Sequence, residues 1–278
     1  VKEKADARFI CFQNGILGLN SDGSGLLPFT SGMVMTNKIP WNYNPAASSV
    51  PDVDEFLDEV SCHDQRIRSL ILECFGACLY GDTLLKKAFI FIGESNSGKS
   101  TLLDVLKNMI GNNNFSTVSL KQLTMPRSFF IPELKWKLTN IADDISSTDV
   151  KDTELFKEIT SGNMIGAERK GSDPFKFKPY CTLVFAANNI PVMNEDSDAV
   201  LKRLILVPCD NVVKEDDIDR TLEKRLKTAG AMEYIIRMSV DALKNVLKDG
   251  KFTLPDKSHQ RLMEYELHTD PVRAFKLH

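Results

Sequence analysis

The sequence has no cysteine or histidine pattern typical of a metal site. None of its six cysteines forms a C-x-x-C pair, and its four histidines show no ligand spacing. Most of the cysteines lie in apolar runs, which favours buried free thiols over zinc. There is also no signal peptide and no apolar run of membrane-spanning length. We therefore expect a protein of a reducing, cytoplasmic compartment.

Long runs of charge of one sign are also missing. Charged residues make up 26% of the chain and the net charge is −3, so the composition is not that of a uniformly basic nucleic-acid-binding protein. Internal repeats and low-complexity segments do not occur, which argues against gross disorder. The 278 residues, 42% of them hydrophobic, are enough for one large core or two modest domains. Any contact with nucleic acid must come from a local basic surface.

One stretch carries a strong functional motif. Residues 93–100 read Gly-Glu-Ser-Asn-Ser-Gly-Lys-Ser and match G-x-x-x-x-G-K-[ST] at every fixed position. The apolar run before it predicts a buried strand, and the pattern after it predicts a helix that ends at Gly111. This context favours a phosphate-binding loop over a chance glycine turn.

The chemistry of such a loop assigns a role to each part of it. Backbone N–H groups and the helix N-terminus converge on phosphate groups. Lys99 reaches the terminal phosphates, and the Ser100 hydroxyl ligates Mg²⁺. The predicted nucleotide-binding residues are Gly93, Glu94, Ser95, Asn96, Ser97, Gly98, Lys99, Ser100 and Thr101.

Two further apolar runs end in polar residues. Residues 136–144 end in Asp143 and Asp144, and residues 180–187 are followed by Asn188. Such runs are typical of buried parallel strands, whose carboxyl ends hold ligands in open α/β sheets. We expect Asp143 to bind the metal through water and Asp144 to orient the attacking water; the alternative is a solvated turn. Asn188 either polarises that water or senses the γ-phosphate; the alternative is an Asx turn before the proline.

Residues 164–178 predict a basic β-hairpin with a turn at residues 171–174. Lys176 and Lys178 alternate with Phe175 and Phe177. Such a hairpin can follow a phosphate backbone while its aromatic rings stack on bases. A solvated hairpin with both phenylalanines in the core fits the periodicity equally well. The candidate DNA-binding residues are Arg169, Lys170, Lys176 and Lys178.

The flanking regions predict supporting structure. Asn14-Gly15 between apolar runs indicates a hairpin over residues 9–19. Helices are expected over residues 51–60, with Asp52 as the cap, and over about 63–80. Beyond residue 213 the pattern is helical, with a first run from Ile218 to a stop at Gly230 and a second that ends near Gly250.

Together these motifs resemble the superfamily-3 helicases of the phage, plasmid and poxvirus primase–helicase type. The resemblance covers nearly the whole chain and is most specific at residues 140–144, 156–162, 168–177, 185–191 and 203–208. It implies an α/β fold with a P-loop AAA+ ATPase core, a parallel sheet with flanking helices. The implied domains are an N-terminal collar-like region over residues 1–81, the ATPase domain over 82–212 and a C-terminal helical lid over 213–278.

The resemblance also implies ATP and Mg²⁺ as cofactors and a hexameric ring that translocates on single-stranded or forked DNA. By position, Asn188 matches the sensor asparagine, and Lys170 with Arg169 matches the hairpin that lines the central channel. Arg203 opens an apolar strand and matches the arginine finger, although such an arginine can also pair with a carboxylate. The catalytic residues implied are Lys99, Asp144, Asn188 and Arg203.

Two positions depart from the family pattern. Asp144 stands where the family often has Glu, and Lys202 stands where it often has a paired Arg. Primase motifs are missing. The resemblance implies that a priming domain, where the full protein has one, lies upstream, so the expected partners are an upstream primase domain or a replication initiator. The expected setting is a bacterial host cell or a viral replication site. Two other functions fit the motifs: a P-loop ATPase that remodels proteins, and a nucleotide-gated assembly protein with little hydrolysis.

Overall fold

The N-terminal part of the chain forms a small antiparallel sheet followed by two helices. The computed structural model describes residues 8–19, 25–125, 129–143, 153–190 and 197–269. The predicted hairpin over residues 9–19 is confirmed, with Phe9 paired to Gly18 and Phe12 to Gly15. The elements are β1 (Phe9–Phe12), β2 (Gly15–Gly18), β3 (Leu26–Leu27), α1 (Pro51–Val60) and α2 (Gln65–Leu79).

The start of α1 differs from the prediction. Val50 is the residue that precedes the first turn and Pro51 opens the helix, so the prediction of Asp52 as the cap was wrong. Proline suits this position because its missing N–H would have no partner within the helix. The Asp52 carboxylate instead accepts a hydrogen bond from Arg225 Nε at 2.9 Å. Asp52 therefore ties α1 to a distant part of the chain.

A five-stranded parallel sheet lies at the centre, in the order β10-β4-β9-β6-β5. Its three central strands are buried along their whole length, as expected for continuous apolar runs between two layers. A separate hairpin pairs β7 with β8. The strands are β4 (Ala88–Ile92), β5 (Phe115–Ser116), β6 (Thr139–Ala142), β7 (Ile165–Ala167), β8 (Phe175–Phe177), β9 (Thr182–Ala187) and β10 (Leu204–Pro208).

Seven more α-helices lie within the part of the chain that the structure describes. The helix after the loop ends at Gly111, as predicted, and Gly111 has a φ of +83°. The helix predicted to end near Gly250 also ends there. The predicted helical run from Ile218 to Gly230 was wrong, since the helix there has five residues and Gly230 lies inside the next one. The helices are α3 (Lys99–Ile110), α4 (Leu120–Leu123), α5 (Glu154–Ser161), α6 (Ser197–Leu201), α7 (Leu222–Leu226), α8 (Ala229–Asp249) and α9 (Asp256–Thr269).

Each face of the sheet has its own hydrophobic core. Phe89 and Val184 face a core shared by β1, β2, α1, α2, α3, α7 and α8. Ile90 and Phe185 face a second core that includes α4, α5, α6, α9 and the β7–β8 hairpin. All six cysteines are unpaired and five are buried, which confirms the prediction of free thiols. Among the described helices, none is long and apolar enough to cross a membrane.

A close contact between α2 and α8 gives a test of this packing. A Cβ added at Gly76 would lie 2.4 Å from the Ser239 carbonyl oxygen. Gly76→Ala should therefore lower the free energy of unfolding by about 1–3 kcal/mol, measured by chemical denaturation. Gly230→Ala is the matched control, because an added Cβ there meets open space and alanine favours a helix. Equal stabilities of the Gly76 and Gly230 variants would contradict the contact.

Candidate functional site

The loop that joins β4 to α3, residues 93–98, is tightly curled. A Cβ at Gly93 would lie 1.9 Å from the Cys209 carbonyl oxygen, so only glycine fits between β4 and the end of β10. Asn96 and Gly98 have φ values of +59° and +82°. These left-handed residues turn the chain sharply into α3. The loop therefore has the geometry in which successive N–H groups of an anion-binding turn converge.

Lys99 is held at the centre of this loop. It is the first residue of α3 and only 8% of it is exposed. Its Nζ donates to the carbonyl oxygens of Gly93 at 2.7 Å and Glu94 at 2.6 Å, and to Ser97 Oγ at 3.2 Å. Burial lowers the pKa of the Lys99 ammonium. The arrangement presents a desolvated cation at the start of a helix, where an anion is most strongly stabilised.

The loop forms one wall of a cavity of about 770 Å³. A further wall comes from α1 and from the segment around α7. Two predicted residues at the carboxyl ends of β6 and β9, Asp143 and Asn188, line the same cavity as Lys99. The loop residues that line it are Ser95, Asn96, Ser97, Gly98, Lys99, Ser100 and Thr101.

Asp143 lies at the tip of β6 and half of its side chain is exposed. Its carboxylate accepts a hydrogen bond from Lys107 Nζ at 2.8 Å, and Lys107 also contacts Asp104 at 3.3 Å. Burial opposes protonation of Lys107, but the two carboxylates outweigh it and raise the pKa of that ammonium. Asp144 lies outside the described residues. A metal ion that binds Asp143 must therefore compete with Lys107.

The donor set fits magnesium that arrives with a nucleotide. Within the described ranges there is no group of three or more His, Cys, Asp or Glu residues that could hold a metal by itself. Mg²⁺ in nucleotide sites usually takes one or two protein oxygens, several waters and phosphate oxygens. The exposed Ser100 hydroxyl and the Asp143 carboxylate supply that kind of ligand on one cavity wall.

Arg203 lies at the amino ends of the parallel strands, whereas the loop lies at their carboxyl ends. It directly precedes β10, and its carbonyl oxygen accepts from the N–H of Ala88, the first residue of β4. Since β4 has five residues of about 3.3 Å each, the loop begins roughly 16 Å away. The Arg203 guanidinium donates to the Ala199 carbonyl oxygen and contacts Ser161 Oγ at 3.4 Å. The fold therefore does not bring Arg203 to the cavity of its own chain.

A second cation, which the sequence analysis did not single out, accompanies Arg203. Lys87 Nζ donates to the Lys202 carbonyl oxygen at 2.5 Å. Burial and then the charge of Arg203 lower the pKa of Lys87. The Arg203 Nε is buried and makes no hydrogen bond within the part of the chain that the structure describes. This edge of the sheet therefore carries two closely spaced cations.

The predicted basic hairpin is present, with Gly166 opposite Lys176. Phe177 is buried in the second core and Phe175 is half-buried, so the core alternative is right for Phe177. None of the hairpin cations lines the cavity. The exposed cations of the hairpin are Arg169, Lys170, Lys176 and Lys178.

The wall built by α1 and the α7 segment was missed by sequence reasoning. Val60 and Phe56 pack beside the loop, where an added Cβ at Gly98 would lie 3.1 Å from Val60 Cγ2. Arg225 closes this wall through ion pairs to Asp52 and Asp219, each at 2.9 Å. Hydrogen bonds from Thr221 and Arg225 lower the pKa of Asp219 to about 2. The motif itself carries no signal for this wall, in which Arg225 and Asp52 are 173 residues apart in the chain.

Comparison with known proteins finds relatives of this chain in viruses and a phage. A family model described as "Family of unknown function (DUF5906)" matches residues 91–203, which run from the loop to Arg203. A protein named as a putative helicase in Acanthamoeba polyphaga mimivirus is 26% identical over 180 residues. The DNA primase-polymerase of Nitratiruptor phage NrS-1 is 30% identical over 166 residues. A protein named as a putative helicase in Sputnik virophage is 23% identical over 265 residues.

The matches cover most of this chain but a small part of the relatives. They span 62%, 56% and 87% of the chain, and 18%, 22% and 33% of the mimivirus, phage and virophage proteins. An apo structure of the NrS-1 C-terminal region superposes with a TM-score of 0.61 at 19% identity, over 81% of this chain and 53% of that one. The α/β fold with its parallel sheet and flanking helices is therefore shared with that region.

Proposed function

We propose that this chain is the ATP-hydrolysing motor of a DNA helicase in a viral, phage or mobile-element replication system. The motor belongs to the superfamily-3 class of AAA+ ATPases and works as a ring, with hexamers as the expected form. One observation carries the proposal. Lys99, Ser100, Asp143 and Asn188 meet in one cavity at one edge of the sheet, while Arg203 lies at the other edge.

Each cavity residue has a role in hydrolysis. The Lys99 ammonium neutralises charge on the terminal phosphates, and the loop N–H groups hold the phosphates in place. The Ser100 hydroxyl and the Asp143 carboxylate would hold magnesium, which would supply further charge neutralisation. Asp144 orients the attacking water, and the Asn188 amide polarises that water or senses the γ-phosphate. The wall formed by α1 and α7 encloses the nucleoside.

The position of Arg203 favours a ring over a monomer. The Arg203 backbone lies roughly 16 Å from its own loop, and its guanidinium contacts Ala199 and Ser161 and does not line the cavity. The guanidinium therefore completes a nucleotide site only when the edge that carries it meets the cavity of a neighbouring subunit. Two cations at that edge, Arg203 and Lys87, match the negative charge of a triphosphate. The partner of this chain is therefore a second copy of the same chain, and hydrolysis takes place at the interface between subunits.

The relatives support a role on DNA. Two are named as helicases and the third as a DNA primase-polymerase. The exposed basic hairpin supplies Arg169, Lys170, Lys176 and Lys178 for contact with a single strand. An upstream primase domain or a replication initiator is the proposed partner in the full-length protein.

The ATPase rate with and without single-stranded DNA, beside a mass measurement in solution, tests this function. A DNA-stimulated rate together with a ring-sized mass is the expected result. A protein-remodelling ATPase predicts turnover that single strands do not stimulate. A nucleotide-gated assembly protein predicts ATP-dependent oligomers with little turnover. Either of these two outcomes would replace the helicase proposal.

The basic hairpin leads to a separate prediction about the salt dependence of DNA binding. Lys170→Ala should weaken binding to single-stranded DNA and reduce the slope of log K against log salt by about 0.7 for each phosphate that the variant no longer neutralises. Fluorescence anisotropy of a labelled oligonucleotide at several salt concentrations measures this slope. Lys248→Ala, on the exposed side of α8, is the matched control and should leave the slope unaltered. An unchanged slope in the Lys170 variant would show that this residue does not bind the DNA backbone.

A further inference from the structure

We propose that Lys135, Trp136, Arg169 and Phe175 form a stacking site for the bases of single-stranded DNA. We call these four residues the Trp136 platform. The inference rests on the proposed function, because it names a second contact for the same strand. It goes beyond the hairpin cations, which bind phosphates, by assigning a site for bases.

The platform joins two distant segments of the chain. Lys135 Nζ lies 4.5 Å from the centroid of the Trp136 ring and 4.9 Å from that of Phe175. Arg169 Cζ lies 5.7 Å from the same Phe175 ring. One lysine therefore bridges two aromatic rings, and the second ring belongs to the basic hairpin. The segment before β6 and the hairpin thus form one continuous surface.

Trp136 is presented outward at an energetic cost. Half of its surface is exposed, although an indole ring is among the side chains that gain most from burial. Its φ is +63°, a left-handed conformation that costs an ordinary residue about 1–2 kcal/mol. Such strain persists where surrounding structure enforces it, and it is often found at functional sites.

The surrounding structure does enforce it. Asn37 Nδ2 donates to the Trp136 carbonyl oxygen at 2.9 Å and to Asn114 Oδ1 at 3.1 Å. The Tyr180 hydroxyl donates to Asn37 Oδ1 at 2.9 Å, which fixes the orientation of this amide. The backbone that carries the indole is thus held in place, so little backbone entropy is lost when a base stacks on the ring.

The charge around the platform favours a polyanion. Residues 133–137 and 164–178 contain six cations and three carboxylates, within a chain whose net charge is −3. A second copy of an acidic chain is a poorer match for this surface than a phosphate backbone. Aromatic rings beside cations are the combination by which proteins bind single strands without sequence preference. Lys135 and Arg169 can pair with the phosphates next to a stacked base.

Trp136→Ala separates stacking from charge. It should weaken binding to an oligo-dT strand by about 5- to 100-fold and leave the salt slope unchanged, because no cation is removed. Trp136→Phe should restore most of the affinity, since it keeps an aromatic face. Leu254→Ala, another exposed apolar residue, is the control. Thermal unfolding of each variant verifies the fold.

Tryptophan fluorescence reports on the site directly. The chain has two tryptophans, and Trp41 is half-buried, with its Nε1 bonded to the Asn108 carbonyl oxygen. In a Trp41→Phe background the remaining signal comes from Trp136. Oligo-dT should quench it, whereas an abasic strand of the same length should bind through phosphates without quenching. Quenching by both strands, or by neither, would overturn the stacking site.

The outcomes distinguish this inference from the proposed function. If the wild-type protein binds no single-stranded DNA, both fail. If it binds DNA and Trp136→Ala binds equally well, the platform is wrong and the helicase proposal stands. If Trp136→Ala changes the mass of the assembly and leaves the DNA affinity of each subunit intact, Trp136 belongs to a contact between subunits, and the platform is again overturned.

Discussion

Lys99→Ala should reduce ATP turnover by at least about 100-fold, the usual effect of removing one preorganised charge-stabilising donor. The ammonium is buried at the first turn of α3 and is held by two loop carbonyls. No alanine can neutralise the charge that develops on the terminal phosphates. The steady-state rate of phosphate release measures the effect.

Two controls separate catalysis from stability in this variant. Lys121→Ala removes an exposed lysine of α4 outside the cavity and should keep the wild-type rate. Because Lys99 also holds the carbonyls of Gly93 and Glu94, thermal unfolding of the Lys99 variant must show that it remains folded. A folded Lys99→Ala protein that turns over ATP at the wild-type rate would remove Lys99 from the mechanism.

The sequence predicts the loop between β4 and α3 well because the determinants of this loop are local. An apolar strand, a glycine-containing turn and an amphipathic helix follow one another, and each is recognisable from its own residues. Asp143 and Asn188 could be placed in the same cavity because both follow buried strands. The carboxyl ends of parallel strands meet at one edge of a sheet.

The cavity wall built by α1 and the α7 segment could not be predicted because it depends on contacts between distant segments. Asp52 was interpreted as a helix cap, but its carboxylate pairs with Arg225, 173 residues further along the chain. Ile218 was predicted to begin a helical run, yet it precedes α7, is 40% exposed and lines the cavity. Periodicity identifies the apolar side of a segment but not the polar partner that fixes its end.

Trp136, which precedes β6, shows the same limit of prediction from periodicity. It opened an apolar run that predicted a buried strand, but β6 begins only at Thr139. Residues 131–134 form a 3-10 helix, and Trp136 turns outward in a left-handed conformation. Hydrophobicity alone cannot distinguish an indole in the core from one displayed on the surface. The distinction here comes from Asn37, which is remote in sequence.

Arg203→Ala should reduce ATP turnover by roughly 10³–10⁵, the range measured for arginine fingers, while nucleotide binding is retained. The reason is geometric. The Arg203 backbone pairs with the start of β4, and its guanidinium contacts Ala199 and Ser161, so it does not line the cavity of its own subunit. Its loss removes charge stabilisation in a neighbouring subunit. Phosphate release and titration with a fluorescent ATP analogue measure the two effects separately.

Mixing experiments test whether Arg203 acts between subunits. Arg203→Ala subunits keep an intact Lys99, and Lys99→Ala subunits keep an intact Arg203, so a mixed assembly contains some interfaces with both residues. Turnover should therefore reappear when the two inactive proteins are combined, and it should depend on their ratio. Lys202→Ala, which alters the exposed neighbour, serves as the control and should stay active by itself. If no ratio restores turnover in assemblies of wild-type mass, Arg203 instead serves its own subunit by holding Ala199 and Ser161 in place.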